Sequence, residues 1–262
     1  MSELAPQRRA HILEEVQRVG SVRVSELTQL FGVSDMTIRR DLDALAQRGL
    51  VAKVHGGATR TEPSSEEPTF AAKAVRALAE KNAIAARAVS LVRPGGAIAL
   101  TAGTTTWALA RHLASVPQLT VVTNSIPVAE VLHENQRRDQ TVILTGGVRT
   151  RSDALVGPVA VATIRSMHVD MLFMGVHGAD ARAGLTTPNL MEAETNRAFT
   201  DAARHVVVLA DHTKWGVVGL SQIAALTEAG TFVTDAGLNG GAQSILASRV
   251  GELVIASAGD RL

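Results

Sequence analysis

Cysteine is absent from the 262 residues, which rules out disulfides, thiolate metal sites and a cysteine nucleophile. Aromatic residues make up only 3%, whereas Ala, Val, Leu and Ile supply most of the 46% hydrophobic content. A core of that kind packs as aliphatic helix-on-sheet layers and favours α/β over an all-β sandwich. No stretch approaches the ~18 uninterrupted apolar residues of a membrane span, and residues 1–10 lack the apolar segment of a secretory signal. These absences predict a cytoplasmic chain with no membrane partner. The eight histidines are scattered without paired ligand spacing, so neither a metal nor a cofactor is expected. A net charge of +1 excludes nothing, because a basic face on one module can be offset by the remainder.

Two textures divide the chain. Residues 1–57 carry closely spaced charges with helical periodicity, and the later chain alternates apolar strand-like runs with amphipathic stretches. Between them, Thr61-Glu62-Pro63-Ser64-Ser65-Glu66-Glu67-Pro68 contains two prolines, two serines and three acids, a composition that cannot build a packed face. The expected organisation is a helical domain over residues 1–57, a linker over 58–72 and an α/β domain over 73–262.

In the first module, Ile12, Leu13, Val16 and Val19 form the stripe of a helix beginning near Gln7. Val24, Leu27, Leu30 and Phe31 predict a second helix, and Gly32 suits the turn after it. Ser34 is the expected N-cap of a third helix whose buried stripe is Ile38, Leu42 and Leu45. That leaves Asp35, Met36, Thr37, Arg39 and Arg40 exposed near its start, a surface suited to the major groove: arginine pairs bidentately with guanine, and threonine bonds phosphate or touches a thymine methyl. Residues 50–54 followed by His55-Gly56-Gly57 predict a short hairpin, a wing whose Lys53 and His55 would meet the DNA backbone or minor groove. On spacing alone, a three-helix bundle with a solvated face fits equally.

In the second module, strands are expected at residues 97–100, 119–122, 142–144, 171–174, 206–210 and 231–234, with helices near 104–114, 127–134 and 192–203. Continuous apolar strands separated by helices imply a mostly parallel, doubly wound sheet covered on both faces, with its ligand at the strand carboxyl ends. Thr101-Ala102-Gly103-Thr104-Thr105-Thr106 follows the first strand and opens a helix, so it is either a phosphate cradle or a plain N-cap turn. Thr123-Asn124-Ser125, Thr145-Gly146-Gly147, Gly175-Val176-His177-Gly178 and Asp211-His212-Thr213-Lys214 end the next four strands. Together these loops offer hydroxyls and an amide for sugar hydroxyls, glycines for close approach, and Lys214 as a point charge for phosphate. His177 is either a ligand contact or a bonded loop residue; Glu192 and Glu194 serve either their helix start or the ligand. Trp107 and Trp215 read as packing residues, and Arg149 and Arg151 as solvated loop side chains.

The run from Gly32 to Leu42, with Gly49-Leu50 and His55-Gly56-Gly57-Ala58, resembles the DNA-binding signature of DeoR-type bacterial regulators. Val122-Thr123-Asn124-Ser125, Leu144-Thr145-Gly146-Gly147, Ala154-Leu155-Val156-Gly157-Pro158, Gly184-Leu185-Thr186-Thr187-Pro188-Asn189 and Leu209-Ala210-Asp211 resemble that family's sensor domain. The resemblance spans nearly the whole chain. It implies DNA contacts through Thr37, Arg39 and Arg40 with Ser34 near the backbone, and a sensor similar in fold to ribose-5-phosphate isomerase and CoA-transferase domains. The effector it implies is a phosphorylated sugar or related metabolite, with Gly103, Thr104, Thr105, Thr106, Asn124, Gly146, Gly147, Asp180 and Lys214 as contacts. Two departures stand out: Arg23, where a small cap is expected before the second helix, and His177, where many members carry an acid.

A sugar-phosphate isomerase-like enzyme with an accessory helical domain is the rival reading, because Asp180, Asp211 and Lys214 could move protons. An isomerase has no use for a recognition helix, and Arg39 and Arg40 likewise speak against a protein-only adaptor. The reading carried forward is a homodimeric or homotetrameric repressor, not an enzyme, that binds operator DNA and answers to a small phosphorylated metabolite.

Overall fold

The computed structural model describes residues 5–19, 21–48, 50–54, 56–60, 67, 69–134 and 137–257. They fall into two units, Met1–Pro63 and Ser64–Leu262. In the first, the order is α1 (Ala5–Val19), β1 (Ser21–Arg23), α2 (Val24–Phe31), α3 (Asp35–Gln47), β2 (Val51–Val54) and β3 (Gly57–Arg60). Gly32 stops α2 in the left-handed region at φ 62°, and its amide closes on the Thr28 carbonyl at 2.9 Å. Ser34 then caps α3, its hydroxyl accepting from the Thr37 amide at 3.3 Å. Ile12, Val16, Leu27, Ile38, Leu42 and Leu45 make one buried cluster, closed by Val22, Val51 and Ala58 from the small antiparallel sheet β1-β3-β2.

That sheet accounts for Arg23. The residue is the last of β1, opposite Gly57, and its own amide donates to the Glu26 carboxylate at 3.1 Å. Strand pairing and Glu26 start α2 without a small capping side chain. Inside the cluster, the buried Asp41 of α3 accepts from Arg8 Nε at 2.6 Å and faces Arg9 Nε at 3.3 Å, which fastens α1 to the back of α3.

The second unit runs α4 (Phe70–Ala74), α5 (Leu78–Val89), β4 (Ala97–Leu100), α6 (Thr104–Ala110), β5 (Thr120–Thr123), α7 (Ile126–Glu134), β6 (Thr141–Leu144), β7 (Val148–Arg149), β8 (Leu155–Val156) and α8 (Pro158–Arg165). It continues with β9 (Val169–Gly175), β10 (Gly178–Asp180), β11 (Gly184–Thr187), α9 (Leu190–Ala202), β12 (Ala203–Leu209), β13 (Ser221–Ala224), β14 (Thr231–Asp235), α10 (Gly240–Ala247) and β15 (Glu252–Ala256). Seven strands pair in the order β15-β14-β12-β9-β4-β5-β6, every neighbour parallel. Successive residues of β9 serve opposite faces: Leu172 and Met174 pack with Phe199 and Ile164, whereas Phe173 packs with Ile84, Leu109 and Leu113. Burial on both faces is why these strands read as continuous apolar runs.

All six expected strands are present, to within a few residues at their ends. A seventh, β15, extends the edge, and the antiparallel sheet β10-β11-β13 and the pair β7-β8 were not foreseen. The linker placed at 58–72 is shorter than expected, because β3 runs to Arg60 on β2 and α4 begins at Phe70. No helix among the described residues is long and apolar enough to cross a membrane. Replacing Asp41 by Ala would remove the buried carboxylate that ties Arg8 and Arg9 of α1 to α3, so D41A is expected to cost about 3 kcal/mol, read as lost hydrogen-exchange protection in α3.

Candidate functional site

On α3, the buried stripe leaves Asp35, Met36, Arg39 and Arg40 on the exposed side. Met36 is 63% exposed, and neither arginine has an ion-pair partner among the described residues. Asp41, the next residue, turns inward to Arg8, so the helix is anchored behind the two guanidinium groups it presents. Asp35 accepts from the Thr28 hydroxyl at 3.1 Å, which ties the start of α3 to α2. Ser34 and Thr37 are engaged with each other, Oγ to Oγ1 at 3.0 Å, as part of the cap. Lys53, expected to point at the DNA backbone, is instead paired with Asp43 of α3, so it braces the wing against the helix. His55 lies outside the described residues.

The second site follows from the sheet order. After β4 the chain moves outward through β5 and β6, then returns to lay β9 on the other side of β4; ligand crevices form where strand order reverses in this way. The Thr101 hydroxyl accepts from the Gly175 amide at 3.1 Å and joins the two loops at that point. Beside them opens a pocket of about 660 Å³, partly exposed to solvent. Of the expected contacts, Gly103, Thr104, Thr105, His177 and Lys214 line it. The His177 amide is also fixed to the Thr186 carbonyl at 3.1 Å.

The other expected contacts do not line the pocket. Thr106 is wholly buried and donates to the Gly103 carbonyl at 2.9 Å. Asn124 shapes the β4 loop from behind, accepting from the Ala102 amide at 2.9 Å and donating to the Leu155 carbonyl at 3.1 Å. Gly146 and Gly147 belong to the turn into β7; a Cβ on Gly147, at φ 121°, would meet the Val156 carbonyl oxygen at 2.5 Å. Asp180 closes the β10-β11 hairpin, and backbone donation from Ala183 and Arg182 holds its carboxyl below the usual range. Arg149 is paired with Asp153 at 2.6 Å.

In their place the structure brings in Glu67, Lys73, Ser152, Thr187, Glu192 and Asn196. Glu192 lines the pocket, accepting from Ser152, from Thr150 at 3.3 Å and from Thr187 at 3.0 Å. Burial, with Glu67 nearby, raises its pKa. Burial also pushes Glu67 upward, but hydrogen bonds from Ser152 and Asn189 and the charge of Lys73 outweigh it and hold Glu67 below the ordinary carboxylate value. Burial lowers Lys73. Behind it, Lys81 donates to the Lys73 and Arg76 carbonyls at 2.6 Å each, and burial pushes its pKa down to about 8. The pocket thus pairs two ammonium groups with two carboxyls and a set of hydroxyls.

An anchored helix offering two guanidinium groups unpaired among the described residues, with a pocketed parallel α/β unit following it in the chain, marks a DNA-binding regulator with a small-molecule sensor. Comparison with known proteins agrees. The DeoR-like helix-turn-helix domain matches residues 8–64, and the DeoR C terminal sensor domain matches residues 76–236. The uncharacterized HTH-type transcriptional regulator YgbI of Escherichia coli K12 is 39% identical over 95% of this chain and 97% of its own length. The glycerol-3-phosphate regulon repressor of the same organism is 32% identical over 88% of this chain and 90% of its own. The chain belongs to the DeoR family of transcriptional regulators, and its two modules are a DNA-binding and a sensor domain, not an isomerase. Among solved structures, ribose 5-phosphate isomerase A from Methanocaldococcus jannaschii is similar at 17% identity and a TM-score of 0.38, over 52% of this chain and 53% of that one.

Two residues before Lys214, His212 Nδ1 lies 2.7 Å from Asp235 Oδ2, and that hydrogen bond raises the histidine's pKa. The stabilisation is therefore complete below the ordinary histidine value and fades as pH rises through the folded one. Asp235→Asn is expected to lower the melting temperature at pH 6 far more than at pH 9, and to return the His212 ring titration, followed by NMR, toward its usual pH.

Proposed function

We propose that this regulator is a cytoplasmic repressor that holds operator DNA through Arg39, Arg40, Met36 and Thr37 of α3 and is controlled by a phosphorylated sugar or a related polyhydroxy metabolite. The observation that carries the DNA half is the pair Arg39–Arg40, exposed and unpaired among the described residues on a helix anchored from behind by Asp41. A guanidinium presented in this way can engage guanine or phosphate without first giving up an internal partner. Ser34 caps the same helix near the DNA backbone, and Lys53 and His55 belong to the wing.

The effector half rests on the pocket's two kinds of chemistry. Lys73 and Lys214 suit an acidic group, and Glu192 with Ser152, Thr104 and Thr105 suits hydroxyls. The glycerol-3-phosphate regulon repressor takes its name from the regulon of a phosphorylated polyol, a compound of the same class. As a homodimer or homotetramer, the regulator would set recognition helices about one DNA turn, ~34 Å, apart. An effector that releases DNA must bind the DNA-free arrangement more tightly, since coupling between two ligands is reciprocal.

R39A and R40A are each expected to weaken specific operator binding by about 1–3 kcal/mol, and the double variant to abolish the footprint, while the sensor unit keeps its thermal transition. Lys214→Ala should leave operator affinity unchanged and weaken the effector on the order of tenfold, read by thermal shift against a panel of sugar phosphates; an unchanged shift removes Lys214 from the site.

A further inference from the structure

Glu67 hydrogen-bonds to partners far away in sequence. Its carboxylate accepts from the Ser152 amide at 3.1 Å and from Asn189 Nδ2 at 2.8 Å, partners 85 and 122 positions away. Asn189 is held in place for this, because its Oδ1 caps α9 by accepting from the Met191 amide at 3.0 Å and the Glu192 amide at 3.3 Å. Three residues on, Phe70 sets its edge against Trp107, ring centroids 5.9 Å apart at 86°. Lys73 then reaches the same pocket as Glu67. These contacts carry the attachment: α4 has no fully buried residue, and Thr69, Ala71, Ala72 and Val75 are exposed. A segment held by so few buried contacts opens at low cost.

Two of its holdfasts are therefore pocket walls, and its chain continues N-terminally to Pro63, four residues before Glu67, where the DNA-binding unit ends. We propose that Glu67 is a latch displaced by the effector: a phosphorylated polyhydroxy ligand draws Lys73 and Lys214 to its acidic group, places a hydroxyl against the Ser152 amide and Asn189, and thereby frees the segment leading to the DNA-binding unit. The proposal rests on the effector class given above. Its physical basis is competition: Glu67 and a ligand hydroxyl use the same donors, and both Glu67 and the ligand's acidic group lie by the Lys73 charge, so occupancy of the pocket and closure of the latch exclude one another. At the base of the segment, Lys81 keeps hold of the Lys73 and Arg76 carbonyls, which makes that end the pivot.

Trp107 and Trp215 are the only tryptophans, so a Trp215→Phe background isolates the ring under Phe70. In it, acrylamide quenching of Trp107 is measured without ligand and with inorganic phosphate, glycerol 3-phosphate, and hexose 1- and 6-phosphates, alongside thermal-shift titrations. The binding member of the panel is expected to increase quenching. Glu67→Ala is expected to show the increased quenching with no ligand present and to bind that member on the order of tenfold more tightly, with Glu67→Gln between it and the parent. Tighter binding by E67A with unchanged quenching would mean simple removal of a repelling charge, and weaker binding would make Glu67 a direct ligand contact; either overturns the latch. If no panel member binds the parent or E67A, the effector class fails, and the latch with it. Ala74→Cys, at a half-buried position in a chain with no other thiol, gives a second reading of release as faster alkylation should the Trp215 variant fold poorly.

Discussion

A parallel sheet buried on both faces leaves its chain only two places to carry polar chemistry, the two ends of its strands. Everything along the middle of β9, β12 and β4 is committed to packing: Phe173, Val207 and Leu100 on one side, Leu172, Val208 and Ala99 on the other. The reversal between β4 and β9 then separates two loops enough to admit a ligand, and the Thr101 to Gly175 hydrogen bond fixes how far. Residues distant in sequence, from Glu67 to Ile223, converge there because the strand ends are where the core lets them.

The recognition helix solves a related problem over three consecutive positions. Arg39 and Arg40 are exposed while Asp41 is buried, and a helix turns about 100° per residue, which separates the two environments without any change of backbone. Burying Asp41 is tolerable only because Arg8 and Arg9 meet it there. The wing is fastened to the same helix by Lys53 and Asp43, so α3 is held from α1, from α2 through Thr28 and Asp35, and from β2. A helix so held has little freedom left to lose when its exposed side chains are engaged.

Local pattern made the helices of the first unit and six of the seven main strands legible, since burial imposes periodicity or continuity on apolar residues. Strand β15 escaped because only Val254 and Ala256 of its five residues are buried, as befits an edge. The pocket was legible as a place but only partly as a residue set. Asn124 and Gly147 sit in loops of the right composition, yet one holds a backbone from behind and the other allows a close packing approach; a polar or glycine residue looks the same in sequence whether it faces a ligand or shapes the loop that does. Glu67 reads as linker because its neighbours are acids, serines and prolines. Its position depends on Ser152 and Asn189, which no local pattern around residue 67 can encode.

The charges in the pocket also constrain what can occupy it. Lys73 and Lys214 share the pocket with the carboxyls of Glu67 and Glu192, so a bare anion meets repulsion there as well as attraction. A neutral polyol satisfies the carboxyls and hydroxyls but leaves the half-buried ammonium of Lys73 with nothing new. A ligand bearing an acidic group at one end and hydroxyls at the other satisfies both sets at once. On the effector class proposed above, selectivity would follow from the spacing between those two ends.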